Sequence, residues 1–166
     1  MTKRILCFIA VLLLLGGCAS PLGVSDATFY YPKAVFSYND VDGVIGSEIR
    51  NNGGISSSAR LLDLYLEGPM DEKLLNPFPE DVTTVSFYTL EDTVYVTLSD
   101  SMAALSGASL ILACSCVGRT AMELAGVSSA QIQCENLLLD GKEAITINDN
   151  TVFYSDTYHS SLPEVE

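Results

Sequence analysis

Residues Val82 to Ser99, which read VTTVSFYTLEDTVYVTLS, decide the fold that this sequence predicts. Large apolar side chains recur at every second position in Val85-x-Phe87 and in Val94-x-Val96-x-Leu98, the spacing that places side chains on one face of a strand. Glu91-Asp92 separates the two runs and predicts a tight turn. We therefore expect a hairpin whose apolar face is covered by another element.

The opposite face of this hairpin is predicted to meet water or a partner. It carries Thr84, Ser86, Tyr88, Tyr95 and Thr97. Tyrosine offers a large contact area with a polar tip, so Tyr88 and Tyr95 are the candidate interface residues. The alternative interpretation is ordinary cross-strand pairing of the two rings.

A helix is predicted on each side of the hairpin. The first covers residues 59–67, with Leu61, Leu62, Tyr65 and Leu66 on its apolar face, and stops at Gly68-Pro69. The second is predicted from Ser109 to Leu124. Its apolar residues are spaced by three and four and would lie against the hairpin: Ala103, Gly107, Leu110, Cys114, Val117, Ala121 and Leu124.

Further strands are predicted from β-prone or alternating sequence. They cover Thr28 to Tyr31, where Pro32 limits the strand to an edge or an end, Val44 to Arg50, and Val127 to Glu135. Leu137 to Leu139 and Ile145 to Ile147 flank an Asp140-Gly141 turn and indicate a second hairpin. The polar, acidic segment 148–166 is expected to be a flexible tail.

The N-terminus has the pattern of a secretory signal. Lys3 and Arg4 precede the apolar run Ile5 to Leu15, which is shorter than the roughly 20 residues that a membrane-spanning helix needs. Leu15-Gly16-Gly17-Cys18 resembles the lipobox of bacterial lipoproteins, in which the cysteine sulfur is lipidated and becomes the first residue. We expect residues 1–17 to be removed and residues 18–26 to be a tether. An ordinary signal peptide or an uncleaved anchor is the alternative.

Charge restricts the partners of the domain. The chain has 21 acidic and 8 basic residues, and removal of residues 1–17 leaves a formal charge of −15. Such a protein repels nucleic acid and anionic lipid headgroups, which excludes nucleic acid as a partner. The membrane is therefore expected to be reached through the lipid on Cys18, on the extracytoplasmic face of the cell membrane, or on an outer membrane if the organism has one.

The order of these features resembles the GerMN domain, a family named after a spore-germination and sporulation lipoprotein. The matching features are a helix that ends in Gly68-Pro69, the strand end Val96-Thr97-Leu98-Ser99, and the segment Thr120 to Val127 before a strand with Ile132. They cover about residues 29–135, within an expected domain of residues 27–147. This sequence has one such region, whereas the founding member has two in tandem.

The resemblance implies an α+β fold in which two helices pack on one face of a small, mostly antiparallel sheet, similar to ring-building domains of the sporulation channel. It also implies a non-catalytic scaffold that contacts envelope or sporulation proteins. A lipoprotein that binds cell-wall glycan or a small ligand is the alternative, because exposed tyrosines can stack on sugars. The family supplies no catalytic residues to carry over.

Cys114, Cys116 and Cys134 are the cysteines beyond the lipobox. On a helix, residues two apart point about 200° apart, so Cys114 and Cys116 do not bind one metal ion together. In an oxidising compartment a disulfide between Cys114 and Cys134 is the preferred pair, since both are expected to face the helix–sheet boundary. The alternative is that all three are free thiols.

The remaining candidate groups do not form a recognisable active site. His159 is the single histidine and lies in the acidic tail, and the pairs Asp71-Glu72, Glu80-Asp81 and Glu91-Asp92 fall at turns or helix ends. Asp149, Asn150 and Asp156 lack the spacing of a calcium loop. We therefore predict no enzyme activity, no metal site and no cofactor.

Overall fold

The structure is a computed structural model, and it describes residues 26–35 and 43–148. We label the elements in chain order. The strands are β1 (Asp26–Pro32), β2 (Ile45–Asn51), β3 (Thr84–Leu90), β4 (Thr93–Leu98), β5 (Ser129–Cys134) and β6 (Ile145–Asn148); the helices are α1 (Ser58–Leu66) and α2 (Gly107–Ala125), with a short 3-10 helix at Asp100–Ala104.

The strands form two sheets. Four strands make one sheet in the order β3-β4-β5-β6, in which β4 and β5 are parallel and the outer pairs are antiparallel. β1 and β2 form a separate antiparallel ribbon. Helix α2 is the crossover between the parallel strands β4 and β5, a connection that returns the helix onto the face of its own sheet. This is the α+β fold with a mostly antiparallel sheet that the resemblance to the GerMN domain implies.

Helix α2 lies at the centre of the molecule. One side packs on β4, β5 and β6, the other on β1, and α1 packs beside it. By length and composition alone α2 is apolar enough to cross a membrane, but more than half of its residues are buried between the two sheets. Gly118 permits the close approach, because a Cβ there would lie 2.9 Å from the Cβ of Ile147.

Both predicted helices and the strands predicted at residues 28–31, 44–50 and 127–135 are confirmed, with boundaries shifted by one or two residues. Pro32 ends β1, and a two-residue turn at Glu91-Asp92 joins β3 to β4. Gly126 has φ of 68° and ends α2 in the left-handed conformation that glycine adopts without strain. The ribbon is also hydrogen-bonded to α2: the Tyr30 N–H donates a hydrogen bond of 3.0 Å to the Thr120 hydroxyl.

The prediction that Val85 shares the apolar face with Phe87 is wrong. The register shifts between Thr84 and Ser86, so that Thr84 pairs with Leu98 and Ser86 with Thr97. The extra residue of this bulge, Val85, is 45% exposed. A bulge places two residues opposite one and reverses the alternation on one side, which sequence spacing does not reveal.

The predicted hairpin between Leu137–Leu139 and Ile145–Ile147 is also wrong. β6 pairs with β5, and the segment before it makes only a single bridge from Leu139 to Lys142. Leu139 is buried, whereas Leu137 and Leu138 are more than half exposed. Ile145 and Ile147 gain more burial on the core face of β5 than a two-stranded hairpin would give them.

Aromatic side chains fill the space between the ribbon and α1. The ring of Tyr65 stacks on Tyr31 with centroids 4.7 Å apart and meets Phe78 edge-on at 5.3 Å. The Tyr31 hydroxyl donates a hydrogen bond of 2.6 Å to the Tyr65 carbonyl, and the Tyr65 hydroxyl donates one of 2.8 Å to the Tyr30 carbonyl. Burial raises the pKa of both hydroxyls, so they remain neutral donors.

Arg50 is a buried cation that ties the ribbon to the end of α1. Its guanidinium pairs with Glu48, donates to the Leu64 carbonyl at 3.2 Å and to the Gly68 carbonyl, and lies 5.0 Å from the centre of the Phe29 ring. Glu48 in turn accepts the backbone N–H groups of residues 70 and 71. The pair thus satisfies carbonyls that the C-terminus of α1 leaves without helical partners.

We predict that Arg50→Met lowers the free energy of unfolding by about 3–5 kcal/mol, because it leaves Glu48 and two carbonyls without their partner in a dry site. Urea unfolding followed by circular dichroism measures this loss. Arg60→Met, at an exposed position of α1, is the matched control and should change the value by less than about 0.5 kcal/mol. Equal effects of the two substitutions would contradict the role assigned to Arg50.

Candidate functional site

The outer face of the four-stranded sheet is the candidate functional site. The core face packs against the helices, and the register of the strands places every second residue on the other side. We call this side the tyrosine face. It consists of Ser86, Tyr88, Leu90, Thr93, Tyr95, Thr97, Ser129, Gln131, Gln133, Thr146 and Asn148.

Tyr88 and Tyr95 form the centre of this face at its β3 side. They are directly paired across β3 and β4, and their rings stack with centroids 5.0 Å apart and an angle of 4° between the planes. Tyr88 is 51% exposed. The cross-strand pairing that the sequence suggested as the alternative is therefore present, and the same pair also presents aromatic surface to the outside.

A polar network fixes the middle of the tyrosine face. The Ser86 hydroxyl donates a hydrogen bond of 2.8 Å to the Thr97 hydroxyl, which also accepts one of 3.0 Å from the Gln133 amide. Thr97 is only 7% exposed although it points outwards, because its neighbours cover it. Side chains that are held in this way lose little entropy when a partner binds.

The tyrosine face carries no charged side chain. The strands β3, β4, β5 and β6 contain no Asp, Glu, Lys, Arg or His. The acids lie around it in the connections, as with Glu91 and Asp92 at one end of β4 and Asp100 and Glu135 at the other. An uncharged patch with tyrosines and a charged rim is the composition of a protein interface core.

β3 forms one edge of this surface. It is the outermost strand of its sheet, and α1 contacts it; within residues 26–35 and 43–148 no other strand pairs with its outer side. The neighbouring apolar side chains of Val85 and Leu90 are exposed. Natural edge strands usually carry charges or proline that discourage pairing, and β3 has neither.

The acidic pairs predicted at turns and helix ends lie in three different places on the domain surface. Asp92 accepts hydrogen bonds from the Ser128 N–H, at 3.1 Å, and from its hydroxyl, and these bonds lower the pKa of the Asp92 carboxyl. Glu80 and Asp81 line an acidic cleft of about 690 Å³ beside α1, together with Asp63 and Glu67. Asp71-Glu72 is exposed in the loop after α1. Within the described ranges, no three His, Cys, Asp or Glu side chains are placed to hold a metal ion.

The cysteines of α2 and β5 are free thiols in this structure, so it does not contain the Cys114–Cys134 disulfide, and that pairing stays a prediction. Burial raises the pKa of Cys114 to about 12, with Cys134 as the second cause. Cys116 is buried on the other side of α2, where it helps to raise the pKa of Tyr31 and Tyr65. Its own pKa is raised by burial as well.

Several residues singled out in the sequence lie outside the described residues. They are Cys18 with the lipobox, His159, and the group Asp149, Asn150 and Asp156. Alternation in the sequence placed Tyr88 and Tyr95 on the outer face of the hairpin, as the structure has them, but did not show that Gln131, Gln133 and Thr146 extend the same face. The alternation in residues 129–134 predicts that the two glutamines point away from the core, but only the parallel pairing of β5 with β4 places them beside Tyr95 and Thr97.

Comparisons with known proteins agree with this fold. The sequence model of the family described as "Germane: Sporulation and spore germination" matches residues 28–140. A comparison with curated proteins finds no match. The structure of the tandem GerMN domains of the sporulation protein GerM from Bacillus subtilis is 18% identical, with a TM-score of 0.54 over 79% of this chain and 47% of that chain. This chain thus spans about half of the tandem structure.

A second similar structure is that of a protein described as a lipoprotein from Clostridium perfringens. It is 16% identical, with a TM-score of 0.48 over 80% of this chain and 92% of that chain.

The state of the cysteines can be measured on residues 26–166. We expect three titratable thiols after denaturation without reductant, and slow modification of the native protein at pH 8, because burial keeps the pKa values of all three thiols raised and the reactive thiolate scarce. A single titratable thiol, with a mass gain of about 2 Da on reduction, would instead establish a disulfide.

Proposed function

We propose a function for this chain, which belongs to the Germane family of sporulation and spore germination domains. It is a lipid-anchored, non-catalytic envelope protein that binds another protein through its tyrosine face. The observation that carries the proposal is that the strands β3, β4, β5 and β6 contain no Asp, Glu, Lys, Arg or His, in a chain with 21 acidic residues. Surface positions of such a chain are expected to be charged, and a contact surface is the physical reason for an exception.

The anchor is proposed to be Cys18, which the lipobox-like sequence indicates. Because the domain is strongly acidic, its own surface does not attract an anionic bilayer, and a covalent lipid supplies the attachment instead. Residues 18–26 would then hold the domain away from the headgroups, on the extracytoplasmic face. The domain itself would extend over residues 27–147.

The partner is proposed to be an envelope or sporulation protein with an apolar or aromatic surface and a basic rim. Such a rim would meet the carboxylates at the ends of the sheet, while its centre would pack on Tyr88 and Tyr95. The edge of β3, where α1 leaves it accessible, would allow a strand of the partner to extend the sheet. Electrostatic attraction at the rim would act mainly on the rate of association.

Cell-wall glycan is the second candidate ligand of the tyrosine face. The observation that favours it is the exposed Tyr88 ring beside Gln and Thr side chains, since sugars bind through aromatic stacking and hydrogen bonds. Retention of the purified domain on cell wall in high salt would support glycan binding, whereas crosslinking only to an envelope protein would support the first proposal.

Palmitate labelling tests Cys18 as the anchor. In a bacterium that processes lipoproteins, the full chain should incorporate labelled palmitate and sediment with membranes, and Cys18→Ser should remove the label and release the protein. Cys7→Ser, which changes a cysteine inside the apolar run, is the matched control and should keep the label. Labelling that persists in Cys18→Ser would exclude this cysteine as the anchor.

Crosslinking of a double tyrosine variant tests the tyrosine face as the binding surface. Substitution of both Tyr88 and Tyr95 by serine should weaken capture of an envelope protein in crosslinking experiments at least tenfold, because interface tyrosines often contribute more than about 1–2 kcal/mol each. The control is Leu137→Ser with Leu138→Ser, which removes exposed apolar side chains elsewhere. Circular dichroism verifies the fold of both variants. Unchanged capture by a folded double tyrosine variant would refute this use of the face.

A further inference from the structure

A groove of about 750 Å³ runs between the end of β1, the start of β2 and the loop after α1, on the opposite side of α2 from the tyrosine face. We call it the basic groove, because Lys33, Lys73 and Arg119 line it. Its other lining residues include Tyr30, Val35 and Leu74.

The basic groove gathers an unusual share of the positive charge. The chain has 8 basic residues, and two of them, Lys3 and Arg4, precede the apolar run. Of the remaining six, three line this groove. Asp71 and Glu72 also reach the groove, so its lining is net positive by one in a chain of net charge −13. The local potential therefore favours a carboxylate-bearing ligand.

The three cations come from α2 and from two adjacent chain segments. The guanidinium of Arg119 lies 4.5 Å from the centre of the Tyr30 ring. The Ala34 N–H donates a hydrogen bond of 2.7 Å to the Lys73 carbonyl, and an isolated β-bridge joins Lys33 to Leu74. The two lysines therefore lie on adjacent chain segments. Gly46 lies between these segments, where a Cβ would meet Leu74 at 2.8 Å. Apolar surface is present beside the charges, since Val35 is 86% exposed.

The chain itself supplies a segment of matching chemistry. Residues 149–166 carry four carboxylates, Asp149, Asp156, Glu164 and Glu166, and no lysine or arginine. Val152, Phe153 and Tyr154 precede the second of these acids. This apolar-then-acidic order fits a groove that has Val35 and Leu74 beside its lysines.

The segment leaves the sheet from a strand that packs on α2. β6 ends at Asn148, and the preceding Ile147 touches Gly118, the neighbour of Arg119 on α2. Eighteen residues reach at most about 60 Å when extended, so length does not limit access. A tethered segment acts at an effective concentration of order millimolar, which allows weak charge pairs to be occupied.

We propose that the acidic segment 149–166 binds in the basic groove of its own chain, with carboxylates on Lys33, Lys73 and Arg119 and the apolar residues against Val35. The segment then occupies the cationic surface of the domain. A more acidic partner, or high salt, displaces it.

Zero-length carbodiimide coupling tests this in the full chain in detergent, because it joins only carboxylates and lysine amines that are in contact. Tandem mass spectrometry should find amide bonds from Lys33 or Lys73 to Asp156, Glu164 or Glu166, in at least tenfold excess over those from Lys142. Lys142 is a stringent control, since it is exposed and much closer in sequence to the acidic segment. Mixing heavy- and light-labelled chains should show that the bonds form within one chain.

A second measurement uses cleavage after Phe153 and Tyr154 by chymotrypsin. Lys33→Gln with Lys73→Gln should speed this cleavage at least tenfold, as should 0.5 M NaCl on the unchanged chain. Arg60→Gln with Lys142→Gln, which changes the net charge equally, should leave the rate unaltered. Couplings to Asp40 or Asp42 in place of the C-terminal acids, couplings between two chains, or no preference over Lys142 would each overturn the proposal.

Discussion

The burial of α2 on two sides is the constraint on which the rest of this structure depends. A helix that must contact a sheet on one side and a strand ribbon on the other can expose little polar surface. Its sequence from Leu110 to Met122 therefore consists of small and apolar residues, two buried hydroxyl side chains and a single charged residue, Arg119. Gly118 brings the helix axis close to β6, and Thr120 accepts a hydrogen bond from β1. The aromatic cluster and the Arg50–Glu48 pair then fasten the ribbon and α1 around this helix.

This arrangement leaves the two outer surfaces with different properties. The four-stranded sheet uses its inner face for the core and shows the uncharged tyrosine face to the outside. On the other side of α2, Arg119 projects among the residues of the basic groove. The acidic residues lie mostly in turns and connections, where water solvates them. A small domain thus separates an uncharged surface from a groove whose lining is net positive.

Much of the fold could be predicted from the sequence, because the signals were local. Alternation predicted the strands, the spacing of three and four predicted α2, and Gly68-Pro69 and Gly126 marked the helix ends. The errors arose where distant contacts decide. The bulge at Val85 depends on its pairing with β4, and Leu137 to Leu139 do not form a strand because β6 pairs with β5 instead. Arg50 gave no local sign of burial, since its partners come from Glu48 and the carbonyls of residues 64 and 68. The position of Tyr88 and Tyr95 on the outer face could be predicted because alternation along a strand is a local signal. The basic groove could not be predicted, because its three cations are far apart in sequence.

Native-state hydrogen exchange shows whether α2 is the internal element of this domain. Amides of α2, and of β4 and β5 against which it packs, should exchange only through global unfolding, with free energies of opening equal to the free energy of unfolding measured by urea. The amides of β1 and β2 should open at lower or equal cost. Exchange of α2 amides at a lower free energy than those of the ribbon would contradict the account.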